Sequence, residues 1–223
     1  MPAESSTADS AIGTSRAAAR IRSAAVEVFA QKGYGATTTR AIAAQLGLSP
    51  GAVYPHYKTK ESLLFAVSLE GHQAALAALR DVDRAGAPPA QRLTDTVTAY
   101  VTWHADNHAL ARVVQYELRS LSPEHRAIIV DLRRATSRMF RQIIEAGAES
   151  GEFRPLDIEA ATLAITSLGV DVSRWFPSNS YSEPEALAAR YVELSLRIVG
   201  YRAEVDTEHA ARSSRGEGLQ QPR

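Results

Sequence analysis

Cysteine is absent from all 223 residues. Disulfides and thiolate metal sites are therefore excluded, and nothing favours an oxidising compartment. No uninterrupted apolar run is long enough to span a bilayer. The first twenty residues, MPAESSTADSAIGTSRAAAR, lack the apolar stretch of a secretory signal. No charge of one sign dominates, since 25 Lys and Arg balance 25 Asp and Glu. Also missing are a nucleophile elbow, a phosphate-binding glycine loop and a dinucleotide fingerprint. Together these absences point to a cytoplasmic protein with no membrane partner, no cofactor and no catalytic motif.

The balanced charge hides an asymmetry. Residues 1–60 hold seven cations (Arg16, Arg20, Arg22, Lys32, Arg40, Lys58, Lys60) against three acids (Glu4, Asp9, Glu27), so the other 163 residues carry the compensating −4. A polyanion meets a local surface and not a total, so the basic N-terminal quarter is where a nucleic acid would bind.

Helix-forming residues dominate, and the fold class is expected to be all-α. Ile21, Ala24, Ala25, Val28 and Phe29 mark one face of a helix over about 17–31, which Gly33 and Gly35 end. Thr37, Thr38 and Thr39 are candidate N-caps for a short helix, RAIAAQL, which Gly47 stops. Thr59 precedes an acidic first turn and predicts the start of the next helix. RAGAPPAQR at 84–92 reads as a loop. Further helices are expected at about 89–106, 107–120, 123–149, 157–176 and 184–202, and no internal repeat appears. Residues 1–14 and 204–223 are poor in large apolar side chains and predict disordered tails. The body between them divides into 15–62 and 63–203.

Between Thr39 and Tyr57 the spacing fits a helix-turn-helix. Two short, steeply crossing helices need a small residue at their contact, a turn residue that tolerates positive φ, and a branched anchor in the second helix. Ala43, Gly47 and Val53 stand at those positions, with Ile42, Leu46 and Leu48 as further apolar contacts. Ser49 is a good N-cap and Pro50 suits the first helical position. Gly51 and Ala52 leave the start of that helix slim enough to approach base edges. Thr38, Thr39 and Arg40 open the preceding helix, where hydroxyls and free N–H groups can hold phosphate. Tyr54, His56, Lys58 and Lys60 suit phosphate contacts, which set position more than sequence. The alternative is that Tyr54 and Tyr57 pack in the core and the lysines form a solvated face; for Tyr57 core packing is preferred. Pro55 removes a donor and crowds the carbonyl of Gly51, so this helix should end or kink near Tyr54.

FAQKGYGATTTRAIAAQLGLSPGAVYPHYKTKESLL resembles the N-terminal domain of the TetR family of bacterial repressors. Phe29, Gly33, Tyr34, Thr37, Thr38, Ile42, Ala43, Gly47, Ser49, Tyr54, His56, Lys60 and Leu63 fall in register over about residues 17–66. Pro55 departs from the pattern. The resemblance implies a three-helix DNA-binding domain, a helical domain for effector binding and dimerisation, and a homodimer on a palindromic double-stranded operator. The implied function is a ligand-responsive transcriptional regulator, in most relatives a repressor.

Two broad apolar helices close the chain. By the same resemblance, Ile158, Ala161, Ile165, Leu168 and Val172 of the first, with Leu187, Tyr191, Leu194 and Ile198 of the second, would pair with their symmetry mates; packing within one chain is the competing reading. Candidate effector-binding residues are Trp103, Tyr116, Phe140, Trp175 and Phe176, with Arg119, Arg134 and Arg138. YELRSLSPEHRAIIVDLRR and SLGVDVSRWF resemble the ligand domains of regulators of fatty-acid or sterol catabolism, which implies an acyl-CoA thioester as effector, another small apolar catabolite or drug-like molecule being the alternative. Arginines suit its phosphates and aromatics its acyl chain, although an ion-paired, solvated face explains the arginines equally well. An enzymatic alternative rests on His104 and His108, four residues apart on one helix face. It lacks both an adjacent glutamate and an evident third ligand.

Overall fold

The computed structural model describes residues 4–202 apart from Asn179, with side chains from residue 15 onward. Among the described residues there are eight α-helices: α1 (Glu4–Lys32), α2 (Thr39–Gln45), α3 (Lys60–Val82), α4 (Pro89–Asp106), α5 (His108–Tyr116), α6 (Pro123–Ser150), α7 (Ile158–Trp175) and α8 (Pro184–Ile198). A short 3₁₀ turn at Leu118–Ser120 follows α5. The backbone from Glu4 to Thr14 continues α1, where irregular chain was expected; alanines and the other residues there carry no helix-breaking proline. Residues 1–3 and the predicted tail at 204–223 lie outside the described residues.

Two cores hold the helices together. In the first, the five periodic residues of α1 bury against Ile42, Ala43, Val53 and Tyr57, then against Leu63, Leu64 and Val67 of α3. Val113, Val114, Leu121 and Ile129 complete this core, so the N-terminal unit is continuous with α5 and the start of α6. The second core gathers Leu93, Val97, Tyr100 and Val101 of α4 with Phe140, Ile143 and Ile144 of α6 and the inner faces of α7 and α8.

α3 belongs to both units. Its length and composition would allow it to cross a membrane, contrary to the expectation that no segment could, yet Leu63, Leu64, Val67, Leu76 and Leu79 are buried against other helices. Thr59 and Ser62 start it with a reciprocal cap: the Thr59 hydroxyl accepts from Ser62 N–H at 2.9 Å, and the Ser62 hydroxyl accepts from Thr59 N–H at 3.1 Å. A serine thus does the work that glutamate does in the common form of this cap.

Four of the nine expected dimer-contact residues are instead core of the single chain. Ala161, Ile165, Val172 and Leu187 are buried in the second core, and Ile158, Tyr191 and Ile198 are packed against it. These helices spend most of their apolar face on α4 and α6. Leu168 and Leu194 remain exposed, at 37% and 45%.

Candidate DNA-binding surface and effector cavity

The helix-turn-helix begins as the spacing predicts. Thr38 caps α2, its hydroxyl accepting from Ala41 N–H at 3.1 Å. Gly47 makes the turn with φ of +66°, a conformation a β-carbon would strain. The second half differs from a regular helix. Ala52 donates to the Ser49 carbonyl (3.0 Å), Tyr54 to Gly51 (3.2 Å) and His56 to Val53 (3.0 Å), a ladder of tight i→i+3 turns that closes with Tyr57 on Val53 at 2.9 Å. Pro55 offers no donor to the Gly51 carbonyl, so an α-ladder would miss that bond, whereas Pro50, in the first turn, forfeits none. The expected shortening at Tyr54 therefore becomes a tightening of the whole segment.

Around this ladder, Thr38, Arg40, Ser49, Pro50, Gly51, Tyr54 and Lys58 are exposed, and Thr39, Ala52 and His56 half-buried. Leu48, expected inside, is 39% exposed because it follows the Gly47 turn. Tyr57 is buried, and its hydroxyl accepts from Arg22 Nη1 at 2.8 Å. Lys60 points inward. Its ammonium donates to the carbonyls of Tyr34 and Thr37, both at 2.8 Å, and lies 4.2 Å from the centre of the Tyr34 ring. With these donors engaged, Lys60 braces the α1–α2 turn and does not present itself to a phosphate.

α3 to α7 line a half-open cavity of about 290 Å³. Of the expected effector residues, Trp103 lines it and the others do not. Phe140 is core, its ring 5.3 Å from that of Tyr100, and Phe176 is buried beside Trp175. Tyr116, Arg119, Arg134 and Arg138 are exposed, Arg134 paired with Asp131 at 3.1 Å. The solvated-face reading describes Arg134.

The polar residues that do line the cavity are His72 of α3, Tyr100 and His104 of α4, Gln115 of α5, Arg133, Thr136 and Ser137 of α6, and Thr166 and Ser167 of α7. Arg133 Nε donates to His72 Nε2 at 3.1 Å and Nη2 to the Val114 carbonyl at 3.2 Å. Among the described residues no carboxylate pairs with it, and burial lowers its pKa. A partly buried guanidinium without a carboxylate partner, at the wall of a cavity, can serve as a receptor for an acceptor oxygen. His72 Nδ1–H donates to the Ser68 carbonyl at 2.8 Å, which leaves Nε2 free to accept from Arg133. His104 Nδ1–H likewise donates to the Tyr100 carbonyl at 2.8 Å. Burial pushes the Tyr100 hydroxyl pKa up, so the phenol stays protonated.

Both cavity histidines are neutral. Burial pushes each pKa down to about 4, against the raising effect of its backbone hydrogen bond; Arg133 adds to the depression of His72, and His72 to that of His104. Unfolded histidine titrates near 6.5. Below that pH the unfolded chain takes up two protons that the folded chain refuses. The contribution should be intact above about pH 6.5 and fall by about 1.4 kcal/mol per pH unit per histidine down to about pH 4. Thermal melts across that range, set against a His72→Asn/His104→Asn variant, should show a shallower acid decline in the variant. Parallel declines would remove this assignment.

His104 and His108 each spend Nδ1 on a backbone carbonyl, those of Tyr100 and Ala105. No group of three potential metal ligands forms among the described residues.

Known proteins share both units. Residues 21–67 match bacterial regulatory proteins of the tetR family, and residues 86–199 match the tetracyclin repressor-like C-terminal domain. A crystal structure of a tetR-family regulatory protein from Rhodococcus RHA1 is 70% identical, covering 84% of this chain and 98% of that one with a TM-score of 0.82. The chain belongs to the TetR family. It is a DNA-binding transcriptional regulator that responds to a ligand. The Bacillus subtilis fatty acid metabolism regulator protein is 28% identical over 177 residues, 78% of this chain and 91% of that protein. The structure of FadR from Bacillus subtilis with stearoyl-CoA is 27% identical with a TM-score of 0.66, covering 81% of this chain and 98% of that one.

Apart from Gly71, His72 and Ala75, the residues that line the cavity fall within the match to the C-terminal domain. Sequence reasoning missed Arg133 although it lies beside Arg134. Arg133, Thr136, Ser137 and Phe140 share one face of α6 by i, i+3, i+4, i+7 spacing, continuous with buried Ile129 and Ile144, whereas Arg134 and Arg138 lie on the other.

Proposed function

We propose that the protein is a cytoplasmic, homodimeric repressor, without catalytic activity, that an acyl-CoA thioester releases from a palindromic operator. The observation that carries this reading is Arg133, a partly desolvated cation with no carboxylate partner among the described residues, at a cavity whose other walls include Ala75, Trp103, Val114 and Val170. The thioester end would take Arg133 as hydrogen-bond donor, and the acyl chain the apolar wall. The stearoyl-CoA complex of the Bacillus subtilis relative supports the same ligand class. Leu168 of α7 and Leu194 of α8, the large apolar residues these helices expose along with Leu163, would lead the dimer contact. The dimer would set two Ser49–His56 segments into successive major grooves, roughly 34–36 Å apart, and effector binding would favour a dimer without that spacing.

The test is displacement. The protein should shift a duplex from its own upstream region with an affinity that falls steeply as salt rises, and stearoyl-CoA should reverse the shift. Binding with no salt dependence would argue against the phosphate-facing role of Arg40, Lys58 and their neighbours.

A further inference from the structure

Two of the polar side chains at the effector cavity are already satisfied. Thr136 and Thr166 spend their hydroxyls on the carbonyls of Leu132 and Thr162, at 3.3 and 2.8 Å. Tyr100 and His104, one turn apart on α4, each keep a polar atom in reserve. Both residues are buried, at 6% and 7% exposure, and both line the cavity. Neither the Tyr100 hydroxyl nor His104 Nε2 has a hydrogen-bond partner among the described residues. Their rings meet edge to face, with centres 4.4 Å apart. The Tyr100 ring is fixed in place: it lies 5.3 Å from the Phe140 ring, and a β-carbon at Gly169 of α7 would stand 2.5 Å from it.

The surroundings decide which of the two atoms carries a proton. His104 gives its Nδ1 proton to the Tyr100 carbonyl, so the neutral imidazole leaves Nε2 as an acceptor. Burial keeps the Tyr100 phenol protonated, and it supplies a donor. A donor and an acceptor on one helix face match a hydroxyl, which accepts from the first and donates to the second. A carbonyl satisfies the tyrosine but turns only lone pairs toward His104. A methylene satisfies neither and leaves two buried polar atoms unpaired, which costs free energy.

Arg133 stands at the same end of the cavity. Its charge acts on Tyr100 and on His72, and His72 acts in turn on His104, so the four groups are neighbours. We propose that the effector is a hydroxylated acyl thioester, its hydroxyl on the carbon β to the thioester carbonyl. Arg133 holds the carbonyl, and Tyr100 with His104 holds the hydroxyl. The inference rests on the thioester reading of the cavity and adds the substituent by which one thioester is told from another. The β position keeps the hydroxyl close to the carbonyl, as a cluster of neighbouring groups requires.

Calorimetric titrations with octanoyl-CoA, β-oxooctanoyl-CoA and the two enantiomers of β-hydroxyoctanoyl-CoA separate these groups. One enantiomer should bind about tenfold more tightly than octanoyl-CoA, the gain of two neutral hydrogen bonds. It should also release a bound duplex at a correspondingly lower concentration. The other enantiomer and the β-oxo thioester should stay within about threefold of octanoyl-CoA, since each makes at most one of the two bonds. Tyr100→Phe keeps the ring and its packing and removes the donor. In that variant the preference for the favoured enantiomer over octanoyl-CoA should fall to about threefold or less. A loss of affinity shared equally by octanoyl-CoA would make Tyr100 a structural residue and overturn the assignment. Equal affinity of the parent for octanoyl-CoA and both enantiomers would overturn the hydroxyl inference and leave the thioester reading standing. If none of these thioesters binds, the thioester reading fails and this inference fails with it.

Discussion

Replacing Arg133 by Met should raise the acyl-CoA concentration needed for DNA release by about 10- to 100-fold, while DNA affinity stays at the parent level. A hydrogen bond from a charged group contributes roughly 1.5–3 kcal/mol, and each 1.4 kcal/mol is tenfold in affinity. Stability should move much less. The guanidinium is desolvated without a carboxylate partner, so the hydrogen bonds it gives to His72 and Val114 offset a burial cost. Methionine fills a similar volume with no charge to bury, a class of exchange that is often neutral or stabilising. Calorimetric titration of acyl-CoA together with anisotropy of a labelled duplex separates the two effects. A parent-like response to acyl-CoA would mean that Arg133 does not anchor the ligand.

Gly147→Ala should cost about 1–3 kcal/mol, a fall of roughly 2–12 °C in melting temperature at the 2–4 °C per kcal/mol of a chain of this size. Helix propensity alone predicts the opposite sign, since alanine is favoured over glycine inside a helix by about 1 kcal/mol. Sterics decide it. A β-carbon at Gly147 would stand 2.0 Å from one Phe153 ring atom and 2.4 and 2.6 Å from two others. Phe153 is 2% exposed. Its N–H donates to the Gly147 carbonyl at 2.9 Å, and the next residue, Arg154, donates to the Val199 carbonyl at 2.8 Å. Held on both sides, the ring has no direction in which to withdraw. Thermal melts that show Gly147→Ala equal to or more stable than the parent would mean that α6 and the 151–157 loop can separate there.

The N-terminal unit was legible because its determinants are local. Ile21 to Phe29 repeat within one helix, and Ala43, Gly47 and Val53 stand within eleven residues of one another, so spacing alone places them. Pro55 was also legible as an irregularity, although the tightening of the whole second helix into a turn ladder was not. Lys60 was misread because its partners, the carbonyls of Tyr34 and Thr37, are more than twenty residues away in the chain. The cavity was misread for a different reason. Aromatics and arginines were chosen by type, and type does not distinguish Arg133, facing His72, from Arg134, facing solvent. The register of α6 does so once Ile129 and Phe140 are recognised as its buried row. For α7 and α8 even register is not enough: Ala161, Ile165 and Leu187 show the same period whether the apolar face meets another helix of this chain or of a partner.

The central claim, that an acyl thioester bound in this cavity ends DNA binding, is tested most directly by one titration. The parent protein is bound to a fluorescent duplex from its own upstream region, and stearoyl-CoA is added, with coenzyme A in a parallel sample. Stearoyl-CoA should bring the anisotropy down to that of free duplex while coenzyme A leaves the complex intact. A complex that persists at saturating stearoyl-CoA would contradict the claim.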